Sequence, residues 1–156
     1  MKDEELTGLI ERIRQELEEL QRVLDRIKEG WERARRSNDD YYLDGVALNL
    51  HGFYSGFERI FTHIAETIDG ELPHREDWHK LLLQQMKNEI PRIRPAVISS
   101  ETGEILDDLR KFRHVVRNVY IHHIDPVRLG KLVRSADQSF AQIKAELLAF
   151  AAFLEQ

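Results

Sequence analysis

The feature that most constrains this chain is a seam of apolar residues near its start. Leu6, Ile10, Ile13, Leu17, Leu20, Leu24, Ile27, Trp31 and Ala34 follow one another in alternating steps of four and three, which keeps them on one side of a single α-helix. Glu, Arg, Gln and Lys fill the gaps. An amphipathic helix of this length draws its stability from covering its apolar stripe, so the seam demands a partner along the whole helix. Heptad spacing admits two kinds of partner: helices of the same chain in a bundle, or a second chain in a coiled-coil arm. Further helical segments follow at short intervals and can cover the seam, which favours the bundle.

Those segments read as follows. Arg35 to Asp40 is a polar turn, with Ser37 and Asn38 placed to cap the next helix. Helix two is expected from Tyr41 to Ile68, with Tyr42, Val46, Leu50, Phe53, Phe57, Ile60, Phe61 and Ile64 on a broad apolar face. Gly52 and Gly56 stand one turn apart in it. Each costs about 1 kcal/mol relative to Ala in a helix, so they point to close approach by a neighbouring helix or a second subunit. His51, Tyr54, Ser55 and Glu58 lie beside them and read as surface or packing residues rather than chemical ones. Asp69, Gly70 and Pro73 end the helix.

A third helix is expected over Arg75 to Asn88, carrying Trp78, Leu81, Leu82 and Met86. His79 in this segment is best read as satisfied by a capping or interhelical hydrogen bond, because no second His or carboxylate stands at metal-ligand spacing from it. Pro91 and Pro95 enforce a loop that carries Arg92 and Arg94, and Ser99 or Ser100 caps a central helix with Glu101 and Glu104 in its first turn. Pro126 closes that segment, and Val127 to Glu155 reads as a last helix. No stretch calls for a strand. The fold class is therefore all-α, an antiparallel bundle of about five helices with a long N-terminal helix. The expected organisation is one domain over residues 1–156, with 1–36 as the long helix and 38–156 as the rest of the bundle.

Composition narrows the chemistry. The chain has no cysteine, so disulfides, thiolate metal sites and cysteine nucleophiles are excluded. No metal and no cofactor is expected. The start, MKDEELTGL, is charged, and no apolar run approaches the roughly 18 residues of a membrane span. A soluble, cytoplasmic protein without a membrane partner is expected. The net charge of −5 argues against a coat that holds nucleic acid by overall basicity, while leaving room for a local basic cleft.

That cleft is sought on the central helix. Within Ile105 to Pro126, the residues Ile105, Leu109, Phe112, Val116 and Val119 share a core-facing side, while Arg110, Arg113 and Arg117 share another, with His114 and Asn118 one position further round. Arginine offers a permanent cation with a planar fork of donors that suits phosphate, and histidine exchanges a proton near neutral pH. In one cleft the two can cleave RNA: a base takes the 2′-hydroxyl proton, arginines offset charge on the phosphoryl oxygens, and an acid protonates the leaving oxygen. An arginine stripe is also what a solvated, salt-bridged helix face looks like, and the chain has Asp and Glu enough to pair with it.

The run Phe112, Arg113, His114, Val115, Val116, Arg117, Asn118, Val119, Tyr120, followed by Asp125, resembles the central motif of the HepT-like HEPN ribonuclease toxins. His51 to Phe61, Trp78 to Met86 and Arg94 to Ser99 resemble the same family. The resemblance implies a HEPN-like helical homodimer whose paired motif helices form an RNA cleft and cleave RNA, tRNA among the substrates, without metal. It also implies a partner: an MNT-type nucleotidyltransferase antitoxin that silences the toxin by AMPylation of a motif tyrosine. The family motif is Arg, four residues, His, one residue, Tyr. Carried onto this chain it starts at Arg113 and ends at the AMPylation candidate Tyr120, but its histidine position is Asn118, which cannot act as an acid or base. A second register runs from Arg117 and Asn118 to His122 and places Ile124 at the tyrosine position. His114 is a third proton carrier. The candidate catalytic residues are thus Arg113, His114, Arg117, Asn118 and His122, with Arg110, Arg113 and Arg117 as phosphate contacts. Two alternatives stand beside the ribonuclease toxin: a catalytically degenerate HEPN relative that binds RNA or a nucleotide or serves as a scaffold, and a helical oligomerisation module.

Overall fold

The computed structural model describes residues 3–120 and 123–156. Five α-helices account for most of them: α1 (Asp3–Ser37), α2 (Tyr42–Ile64), α3 (Trp78–Lys87), α4 (Ser100–Asn118) and α5 (Pro126–Leu154). Among the described residues there is no strand, only an isolated antiparallel bridge between Ile90 and Arg94. The all-α bundle expected from the periodicity is what forms.

The seam of α1 is buried within its own chain. Leu9, Ile10, Ile13, Leu17, Leu20, Leu24 and Ile27 all join one continuous core with α2 and α5, so the bundle covers what a coiled-coil arm would otherwise have to. Exposed ion pairs lie along its rim: Arg59 of α2 to Glu16, Lys28 to Asp137 of α5, and Arg14 to Glu155 just past the end of α5. The centre of the core is aromatic, with Phe53 edge-on to Phe57 at 5.1 Å and Phe140 of α5 closing the cluster.

Several boundaries differ from those read off the sequence. Asn38 does not cap α2; it ends α1 in the left-handed region at φ 53°, a conformation asparagine tolerates, while Ser37 Oγ accepts from the Asp39 N–H. Beyond Ile64 the second helix widens into a π-turn, Ala65–Asp69, before Gly70 closes it at φ 69°. The third helix starts at Trp78 rather than Arg75.

That π-turn places Asp69 against Arg94. The two side chains are buried and joined by two charged hydrogen bonds of 2.6 and 2.8 Å. Arg94 also donates to the carbonyls of Asn88, Pro95 and Gln85, which uses all five of its N–H donors. Arg94 is therefore a clamp on the loop between α3 and α4, not a free cation. At the start of α4, Ser99 is the cap and accepts from the Thr102 N–H at 3.1 Å. Glu146 of α5 accepts from the Ser99 N–H and hydroxyl and from the Thr102 hydroxyl. Burial alone would raise the Glu146 pKa, but these hydrogen bonds outweigh it and hold the carboxyl below its ordinary range.

The largest departure is at the end of the central helix. It stops at Asn118, and Val119 is extended and 42% exposed. Val119 is therefore not the core residue its spacing suggested; the core face of α4 is Leu106, Leu109 and Phe112, with Ile105 and Val116 half-buried against it.

The two glycines of α2 behave oppositely. A Cβ on Gly56 would lie 2.5 Å from Leu20 Cδ2 of α1, whereas one on Gly52 would meet nothing within 4 Å. Close approach thus explains Gly56, and no contact among the described residues explains Gly52. Gly56→Ala is expected to lower stability, since overpacking of about 1–3 kcal/mol exceeds a propensity gain of about 1 kcal/mol. Gly52→Ala is expected to raise it by up to about 1 kcal/mol; urea unfolding of both at one protein concentration gives the two signs.

Candidate active site

The core of the site is a buried carboxylate. Glu58 of α2 lies inside the bundle, where an unpaired charge would be strongly unfavourable. It accepts from His79 Nδ1 of α3 at 2.6 Å through Oε2 and from Arg113 Nη1 of α4 at 3.3 Å through Oε1. His79 thus has the interhelical hydrogen bond expected of it. Its ring lies 3.8 Å from that of Trp78, centroid to centroid. Tyr54 is buried one residue turn away, and burial, with the Glu58 charge beside it, pushes its phenol well above the ordinary value.

Outside this carboxylate α3 and α4 leave a cleft of about 340 Å³, lined by His79, Arg110, Arg113, His114, Arg117 and Asn118. The three arginines are differently committed. Arg110 pairs with Asp107 one turn back at 2.8 Å, and Arg113 with Glu58. Arg117 is exposed and has no ion pair among the described residues. The stripe is therefore partly the salt-bridged face its composition allows, with one cation left over at its outer end. Asn118 donates to the His114 carbonyl at 2.8 Å, and its amide lies 3.3 Å from His114 Nδ1.

His51 of α2 faces the same arginines. Burial lowers its pKa, and the Arg113 and Arg117 charges lower it further, against a smaller opposing pull from Glu58. Tyr120 follows the end of α4, 76% exposed, with its ring edge-on to His123 at 6.1 Å. His122 lies outside the described residues. Among the described residues no group of three His, Cys, Asp or Glu could hold a metal ion, and no helix is long and apolar enough to cross a membrane.

Arg110, Arg113, His114, Arg117 and Asn118 are thus brought to one cleft, while Tyr120 stands beyond the helix end. Glu58 had read as a packing or surface residue and His79 as a structural histidine; His79 lines this cleft, and Glu58 bonds His79 and Arg113 behind it. A larger groove of about 480 Å³ between α1 and α2 holds Arg12 against the His63 ring and Glu16 paired with Arg59. Its charges largely satisfy one another, and it lies away from the arginine stripe.

An all-α bundle whose central helix carries arginines and a polar residue on a cationic cleft, with a tyrosine just past the helix end, is what a HEPN-type helical protein presents. Residues 45–154 match the family described as HepT-like protein, and the chain belongs to that family. No curated protein and no solved structure matches it.

The electrostatics give a direct test. Because folding lowers the His51 pKa, the unfolded chain takes up the proton first as pH falls below the ordinary value of 6.5, so this group subtracts stability from there down to its folded value. Arg117→Ala is expected to move His51 back towards 6.5, read from its ring resonances in an NMR titration.

Proposed function

We propose that the protein is the ribonuclease toxin of a HepT-type toxin–antitoxin pair, acting in the cytoplasm as a homodimer that cleaves RNA in the cleft along α4 without calling on a metal. The observation that carries this reading is Arg117, a cation without an ion pair at the mouth of a histidine-bearing cleft, in a chain of net charge −5. Phosphate is the ligand such a fork suits. The pairing of Arg113 with Glu58 supports the second register, in which Arg117 contacts the phosphate and His122 carries the proton, with His114 as the further carrier. Arg113 and Arg110 then act from deeper positions. The exposure of Tyr120 is compatible with AMPylation by an MNT-type nucleotidyltransferase antitoxin, and tRNA is the substrate class the family implies.

The second reading is a degenerate HEPN dimer that binds RNA without cutting it. Asn118 favours it, since an amide at the motif's histidine position cannot act as an acid or base near neutral pH.

Expression of the chain alone, beside His114→Ala, His122→Ala and Arg117→Ala, separates the readings through growth and RNA integrity. Growth arrest with RNA cleavage is expected of the wild type. Arg117→Ala is expected to lose about 100-fold or more of the cleavage rate in vitro, the scale of removing one donor from a developing oxyanion. Salt-sensitive RNA binding with intact RNA would instead establish the degenerate reading.

A further inference from the structure

On the footing of the ribonuclease reading, we propose that His79, oriented by Glu58, is a catalytic base of the cleft, contributed by α3 from outside the arginine-bearing motif. The orientation follows from atom chemistry. A carboxylate only accepts hydrogen bonds, so the 2.6 Å contact from Glu58 Oε2 requires the proton on His79 Nδ1. Arg113 Nη1 lies 3.3 Å from the same nitrogen, but it too is a donor, so that approach is a contact within the cluster and not a competing bond. The other ring nitrogen, Nε2, makes no hydrogen bond among the described residues, and His79 lines the cleft beside Arg113 and Arg117. Its side chain is 26% exposed against 9% for Glu58. A buried carboxylate, a half-buried imidazole in a fixed tautomer and a cationic cleft in front of it form the arrangement by which an orienting acid presents a histidine to a substrate.

The step balances within the cleft. The 2′-hydroxyl of the RNA gives its proton to His79 Nε2 as its oxygen bonds to the adjacent phosphorus. The bond from phosphorus to the 5′-oxygen breaks, and that oxygen takes a proton from a second, protonated histidine, His114, which lines the same cleft and regains its proton from water. The products are a 2′,3′-cyclic phosphate and a 5′-hydroxyl, and His79 returns its proton to water. Arg117 and Arg113 offset the charge that builds on the phosphoryl oxygens. Asn118 then needs no acid–base role, because the proton is carried from α3.

The test is cleavage of a defined RNA by the full chain, with His74→Ala as a control on a surface histidine that is expected to match the wild type. His79→Ala is expected to lose about 100-fold or more, the scale of one general acid–base group, and to regain part of it in added imidazole. His79→Gln, which keeps bulk and hydrogen bonding but carries no exchangeable ring proton, is expected to be as inactive as the Ala variant and to gain nothing from imidazole. The orienting role is read by NMR of the wild-type ring, which should be protonated at Nδ1; a neutral ring protonated at Nε2 would overturn it. Cleavage by His79→Ala or His79→Gln within threefold of the wild type would overturn the assignment while leaving the ribonuclease in place. A wild-type chain that cleaves no RNA overturns the ribonuclease reading first, and the base with it.

Discussion

One buried negative charge organises the working end of this bundle. Glu58 is carried inward by an α2 face that is otherwise Phe53, Phe57 and Phe61. Taking a carboxylate out of water costs several kcal/mol unless partners replace its hydration. The replacements come from His79 on α3 and Arg113 on α4, so α2, α3 and α4 are held together by a requirement that apolar packing alone does not impose. Apolar surfaces tolerate sliding by a fraction of a turn; a charged hydrogen bond of 2.6 Å does not. The same requirement decides what is left over. Because Arg113 is drawn inward to the carboxylate, Arg117, one turn further along the same stripe, is left facing the cleft mouth.

Local pattern was enough for the scaffold. The seam of α1, the aromatic face of α2 and the Ser99 cap each depend on residues within a turn or two of one another, and a period of 3.6 reports them directly. Helix ends were less legible. Nothing in RNVYIHHIDP breaks a helix before Pro126, and Val119 keeps the core-facing spacing, yet the chain leaves the helix at Asn118. The run that follows is rich in β-branched, aromatic and histidine residues of modest helix propensity, and Asp125 with Pro126 supplies a fresh start, its side chain accepting from the Val127 N–H. Asn118 closes the end by bonding its amide to the His114 carbonyl, a role visible only once the terminus is known.

The site was half legible for a different reason. Arg110, Arg113, His114, Arg117 and Asn118 share one helix, so their convergence follows from periodicity. Glu58 and His79 meet across 21 residues, and Glu58 and Arg113 across 55, and no spacing rule reaches that far. One signal was present in the chain: a glutamate inside an otherwise apolar helical face has to find a cation or a histidine somewhere. Such a glutamate demands a partner without saying which of the chain's cations or histidines supplies it; here His79 and Arg113 do.

Asn118 sharpens the chemistry around it. Its amide donates one of its two hydrogens to the helix's own last turn at 2.8 Å, and a carboxamide does not act as an acid or base near neutral pH. A phosphoryl-transfer site built on α4 alone would then hold cations and His114 but only one described proton carrier. The other described histidine that lines the cleft, His79, comes from α3. On the ribonuclease reading, catalysis is a property of the packed interface of α3 and α4 rather than of a linear motif, and what unites those helices is their common pairing to Glu58 of α2.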